Sequence, residues 1–427
     1  MKKVVPTCFI GLLTVFLFPV HNTQAQDLEP GKVANVQVQY TKEIDQLAKN
    51  KQIQKAFQFI VAQNKRNRDE LIKLTEIPAP PFLEEKRGVE FAAMLKEAGA
   101  DSVWTDKVGN VLALRKGKQS KRTVALDGHL DTVFPAETDV RVKAKGDTLF
   151  APGIGDDTRG LVAVVAVLRA LEDANIETQS DVLFIGSVGE EGLGDLRGVK
   201  HLFSNQSRRI DSWISIEAGA MGRASNMGLG SNRYRITFKG PGGHSWGAFG
   251  LANPQHALGS AIHYFSKAAD KFTRTGARTS FNVGRIGGGT SVNSIPFSSW
   301  MEVDMRSEIP ENLVLIDSLL KSSVQKALEE HNQMRRSGPA LTVDFERIGE
   351  RPSGELPETL PLVQRSMAAI AHFGESPKIG RGSTNGNIPI SKGIPAVTIG
   401  QGGLTGGTLS MSGGLIRMLI RRFRPRC

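Results

Sequence analysis

The strongest constraint on this chain is a set of short, mostly apolar runs separated by helical patterns. Residues 111–114, 123–126, 182–185, 213–216 and 396–399 are strand-like, and residues 161–171 read as a helix with Ala and Val on its buried side. A strand that is apolar on both faces needs cover on both. Strand–helix alternation supplies that cover and favours parallel pairing. The expected fold class is α/β, a mainly parallel sheet with helices on both faces. Residues 53–74 and 84–98 carry apolar side chains at helical spacing; Pro78-Ala79-Pro80-Pro81 stops the first and Gly99 closes the second. Residues 26–50 are polar and mixed and read as a mobile lead-in.

Near residue 232 the pattern changes. Residues 233–238 alternate polar and apolar, as a half-exposed strand does. A helix over 254–269, strands over 280–286 and 300–305, a helix over 313–330 and a strand over 341–345 follow. After about residue 352 the α/β pattern returns, with a helix over 360–371. The expected organisation is a discontinuous first domain, 51–231 with 352–408, carrying an inserted α+β unit at 232–351.

The first residues are not fold. Lys2 and Lys3 precede an apolar run at 9–20, and Thr23-Gln24-Ala25 has the small residues of a cleavage site. Residues 1–25 read as a secretory signal peptide, which implies a secreted or periplasmic protein; an uncleaved anchor is the alternative. The run is short for a membrane span, and no other stretch is apolar enough for one. The two cysteines are Cys8 and Cys427, so the body between them has no disulfide to rely on. The net charge of +11 is concentrated at the ends: Lys2, Lys3 and five arginines after Thr408 account for seven of it. With +4 over residues 4–408 and no basic helix interleaved with aromatics, nucleic acid is discounted as a partner.

Chemistry-bearing residues recur where strands end, which is where α/β sheets build their sites. His129 and Asp131 follow the run at 123–126, and the i, i+2 spacing puts them on one strand face. An imidazole there can bind a metal while a carboxylate fixes its other nitrogen. Gly153-Ile154-Gly155-Asp156-Asp157 precedes the helix at 161–171; a carboxylate there can bridge two cations or cap the helix. Glu190 and Glu191 follow the run at 182–185. One can bind metal while the other takes a proton from water; a solvated acidic turn is the alternative. Glu217 ends the run at 213–216, and His244 sits in the turn Gly242-Gly243-His244 of the inserted unit. Together a histidine and several carboxylates at one sheet edge suit a divalent metal site.

The motifs HLDTVFP, GIGDDTRG, GEEG, GPGGHS and STNGNIPISKGIPAVTIG, in this order over about residues 70–407, resemble a known family. It is the co-catalytic zinc peptidases and amidohydrolases that include peptidase T, carboxypeptidase G, acetylornithine deacetylase and succinyl-diaminopimelate desuccinylase. The resemblance implies two divalent metal ions, zinc, held by His129, Asp156 as bridge, Glu191 and Glu217. It implies Glu190 as general base, Asp131 as partner of His129, and His244 as the group that reaches the substrate's oxyanion, often in the partner subunit's site. Asn293 and Arg306 match positions that contact substrate; for Arg306 an exposed salt bridge is the alternative. The inserted unit resembles the family's lid and dimerisation domain, which implies a homodimer. The expected reaction is metal-assisted hydrolysis of an amide bond in short peptides, with a peptidase T-like aminopeptidase as the preferred subtype. An N-acyl-amino-acid amidohydrolase or carboxypeptidase is the alternative within the family.

One departure stands out. After GIPAVTIGQGG the family places a histidine in a T-H-S-L-[DN]-E-W pattern, its fifth protein ligand. This chain has no histidine after His372. Residues 408–416 can be encoded as ACT CTC TCA ATG AGT GGT GGA TTA ATT. With a C in front and the other frame read, the same bases give H-S-L-N-E-W-W-I-N. The expectation is a frame slip at or just before Thr408, a non-native tail at 409–427, and a catalytically impaired product. A genuine basic tail is the alternative.

Overall fold

The computed structural model describes residues 31–204, 209–402 and 408–410. Its main sheet has ten strands. Four central strands, Ala396–Gly400, Ser212–Glu217, Thr123–His129 and Asp181–Ser187, lie side by side in that order and are mutually parallel. Their carboxyl ends therefore share one edge. Antiparallel strands flank them: Val111–Arg115 then Ser102–Thr105 on one side, Arg223–Gly228 on the other.

Both faces are covered, as runs apolar on both sides require. Helices Asn64–Thr75, Glu85–Glu97 and Arg159–Asp173 bury Leu74, Phe91, Leu95, Leu161 and Leu168 against Phe184 and its neighbours. On the opposite face Leu183, Ile185 and Trp213 pack with Val199, Ile388 and Ile390. Helix Pro361–His372 sets Val363 and Met367 on Ala224 and Val397.

Two expectations are corrected. The periodicity at 53–74 belongs to two helices, Lys51–Ala62 and Asn64–Thr75, parted at Gln63, where ψ reaches 8°. The lead-in is not a free segment: Val38–Leu47 is a helix packed on Pro361–His372. It buries no residue fully, so it shows no apolar stripe to the eye. Polar contacts tie it down instead, Arg365 to Glu43 at 2.8 Å, His372 to Asp45 at 2.5 Å, and the Gln37 N–H to the Gln364 side chain at 2.9 Å.

The inserted unit has its own sheet, ordered Thr279–Gly288, Ser298–Ser307, Gly230–Lys239, Thr342–Arg351 and antiparallel throughout. Along Ser298–Ser307 burial alternates at every residue, the pattern of a sheet covered on one face. Helices Pro254–Thr273 and Pro310–Met334 provide the cover, over Tyr234, Ile236, Phe238, Met301, Val303 and Met305. The chain enters this sheet at Gly230 and leaves it at Arg351, and Ser231 pairs with Arg351 in the ladder. The two crossings between the units thus lie side by side.

The expected signal peptide at 1–25 and nearly all of the tail lie outside the described residues; Thr408–Ser410 pairs with Thr148–Phe150. Among the described residues no helix is long and apolar enough to cross a membrane.

Candidate active site

His129 is the last residue of a central strand, and its loop is held firmly. The buried Arg87 guanidinium donates from Nη1 to the Leu130 carbonyl at 2.8 Å, and Leu130 N–H donates to Ser187 O at 2.7 Å. His129 Nδ1 lies 3.0 Å from the Asp131 carbonyl oxygen and 3.6 Å from its carboxylate. A proton on Nδ1 leaves Nε2 to face outward as a ligand. The Asp131 carboxylate does more than orient a ring: it accepts from the N–H groups of Glu190 at 3.0 Å and Glu191 at 2.7 Å. The first and third motifs are therefore fastened to each other.

Asp156 lies 3.0 Å from His129 Nε2 through Oδ1, and its side chain is 41% exposed. No side-chain capping bond is found at the start of the Arg159–Asp173 helix or of the turn before it, so the helix-cap reading of this motif is not what the residues do. Asp157 is fully buried and accepts from His129 N–H at 3.0 Å and Gln401 Nε2 at 2.9 Å. Gly160 makes room for it, since a Cβ there would sit 2.2 Å from Asp157 Oδ1. The peptide between Asp156 and Asp157 is cis.

Glu190 and Glu191 diverge. Glu190 is buried and accepts from Arg351 Nη1 at 3.1 Å. Glu191 is half-buried and joins His129 and Asp156: one ligand atom from each lies within 4.8 Å of the others. Their loop is anchored from behind, by Gly189 N–H to Glu84 at 3.1 Å and Val188 N–H to Asn110 at 3.0 Å. Glu217, at the end of the neighbouring strand, lies 3.5 Å from His129 Nε2.

The inserted unit holds the other expected residues apart from this cluster. His244 is exposed, in a short ladder with Ser294, and its Nδ1 accepts from Trp246 N–H at 3.2 Å. A neutral ring bonded so carries its proton on Nε2, as a donor. Asn293 is the neighbour, with its carbonyl accepting from Ser245 N–H at 2.9 Å. Arg306 is half-buried, and its Nε donates to Asp304 at 2.8 Å, a carboxylate it shares with Arg233. Four further residues lie near the centre: Asp157, Asn385 and Gln401 fall within the quoted motifs without being singled out by them, and Arg351 lies outside all of them. Asn385 donates to the buried Asp127 at 2.9 Å.

The family model for peptidase family M20/M25/M40 matches residues 125–410. The chain belongs to this family. As a member of M20/M25/M40 it is a metal-dependent amide hydrolase. It is 25% identical over 359 residues to the uncharacterised protein YqjE of Bacillus subtilis, covering 79% of this chain and 90% of that one. The solved aminopeptidase PepT of Bacillus cereus superposes with a TM-score of 0.64 at 19% identity, over 83% of this chain and 96% of that one. A tripeptidase of Staphylococcus aureus gives 0.66 at 19% identity, over 83% and 95%. These likenesses extend to the fold.

The donor set fits the family's metals. One imidazole and three carboxylates converge on a small volume, and the acids crowd each other. Burial pushes Glu217 up to about 7 and Asp127 to about 6. Burial, then the neighbouring Glu190, raises Glu191 well above the carboxylate range. Burial pulls His129 down, but bonds to Asp131, Asp156 and Glu217 outweigh it and hold the ring well above its ordinary value. The metal-free centre thus keeps protons that a divalent cation must displace. Raised acid and imidazole values mean that metal binding weakens as pH falls through about 7. Calorimetric titration with Zn²⁺ at pH 7 in buffers of different ionisation enthalpy should show release of about one to two protons per chain. No proton release would mean that the metal binds elsewhere.

Proposed function

We propose that this chain hydrolyses the peptide bond of short peptides as an aminopeptidase. The carrying observation is the convergence of His129, Asp156 and Glu191, with Glu217 beside them, next to a fourth carboxyl residue, Glu190, that has a different partner. In this reading His129, Asp156, Glu191 and Glu217 hold two divalent cations, zinc. Bound there, they supply Lewis acidity and make water easier to deprotonate. Glu190 takes the proton of the attacking water and returns it to the leaving amine as the C–N bond breaks. Asp131 fixes the His129 tautomer and carries the N–H groups of both glutamates. His244 donates from Nε2 to the developing oxyanion, and Asn293 and Arg306 bind substrate. The terminal nitrogens of Arg306 suit a carboxylate.

His244 meets the reacting carbonyl in this proposal by reaching into the partner's cleft of a homodimer formed through the inserted unit. Support comes from the apolar side chains exposed around it, Trp246 at 88% and Phe297 at 72%, which suit burial against another protein surface. Export by the signal peptide at 1–25 completes the reading. The peptide subtype draws on the fold shared with an aminopeptidase and a tripeptidase. Side-by-side assays of a tripeptide and an N-acetyl amino acid with the metal-loaded full chain test it. Faster turnover of the tripeptide is expected, and faster release of acetate would move the chain to the amidohydrolase branch.

A further inference from the structure

We infer that Arg351 is a positioning residue for Glu190, tying the inserted unit to the carboxylate that acts as base. This rests on the reading of Glu190 given above. Arg351 is the last residue of the inserted sheet, paired with Ser231 at the point where the chain crosses between units, and it is buried. Nη1 donates to Glu190 Oε1 at 3.1 Å, and Nη2 donates to the Glu190 backbone carbonyl. One guanidinium therefore grips the side chain and the main chain of the same residue. Nη1 also meets the carbonyl and hydroxyl of Ser383, both at 3.2 Å. Among the described residues no other cation pairs with Glu190.

The same loop receives two further bonds from the same pair of strands. Arg233 Nη1 donates to Gly192 O at 3.0 Å, and Glu350 N–H donates to Asp195 at 2.8 Å. Three contacts thus run from the crossing point to residues 190–195, and the one made by Arg351 ends on the base. A planar fork holds its partner in a fixed orientation, which a single flexible ammonium does less well. Any shift of the inserted unit against the main sheet is passed through Arg351 to the Glu190 carboxylate. A base must sit within hydrogen-bond reach of its proton, and a displacement of about 1 Å can cost about 10²-fold in rate.

The test compares the full-length wild type with Arg351→Gln and Arg351→Lys, all metal-loaded, on a tripeptide substrate. The glutamine variant should lose about 10²-fold in kcat, with KM moved by less than about threefold and metal content unchanged. The lysine variant keeps the charge without the fork and should recover part of the loss. A rise in KM at constant kcat would assign Arg351 to substrate binding, and unchanged kinetics would leave it a packing residue; either overturns the inference. Amide exchange of metal-free protein gives a second reading that needs no turnover: Arg351→Gln should speed exchange at residues 189–192 about tenfold while the central strands hold. Loss of the base role would show separately, as a Glu190→Gln variant that turns over like wild type. Unchanged exchange at 189–192 would remove the grip of Arg351 on that segment.

Discussion

Glu190→Gln is expected to lower turnover by about 10²- to 10⁴-fold while metal content stays at the wild-type level. The substitution keeps the side chain's shape and an oxygen that can accept from Arg351 Nη1, so the 3.1 Å contact has no reason to break. What disappears is the capacity to take a proton. Glu191→Gln makes the contrasting case one residue away. Its carboxylate faces His129 and Asp156, so the loss there should appear first as weaker metal binding. Paired measurement of turnover and metal content on the two variants separates base from ligand. If Glu190→Gln kept more than about a tenth of wild-type activity, the base would have to be sought elsewhere.

The central strands and the acidic residues at their ends were legible because each signal is local. A four-residue apolar run followed by His or Glu announces both the strand and the edge at which it ends, and in the fold His129, Glu190 and Glu217 follow those runs. Asp156 is ambiguous in sequence, since an aspartate before a helix is also a cap, and the missing capping bond and its 3.0 Å approach to His129 distinguish the two. The pairing of distant segments is not legible in the same way. Arg351 lies 161 residues from Glu190, and Asn385 lies 258 from Asp127. Neither sits in a periodic pattern: a lone arginine before Pro352 has many ordinary uses, and Asn385, though inside the motif that begins at Ser383, gives no hint there of its partner. Helix Val38–Leu47 has no legible pattern for a related reason: it buries no residue fully and is joined to its neighbour by polar contacts such as Arg365 to Glu43.

The chain as it stands should bind one divalent cation tightly and a second about 10- to 100-fold more weakly than a chain with its reading frame restored at Thr408. The reason is the supply of imidazoles. Of the eight histidines, His21 lies outside the described residues, and among the other seven His129 alone belongs to the cluster. His201 lies on the short helix Arg197–Ser204, and His244, His256, His263 and His331 belong to the inserted unit. His372 is engaged by Asp45 at 2.5 Å. The cation beside His129 would thus have a nitrogen ligand with Asp156 and Glu217. The one beside Glu191 would have carboxylates without an imidazole, a harder donor set that holds zinc less tightly. In a gene built with the codons given above, inserting one cytosine before the Thr408 codon brings H-S-L-N-E-W-W into frame and offers the missing imidazole. Equilibrium dialysis with metal analysis on both chains decides the matter. A stronger second equivalent and higher turnover in the restored chain would mark the present tail as the product of a frame slip. Two equally tight equivalents in the present chain would show that carboxylates alone complete the pair, and that residues 408–427 are a tail the enzyme tolerates.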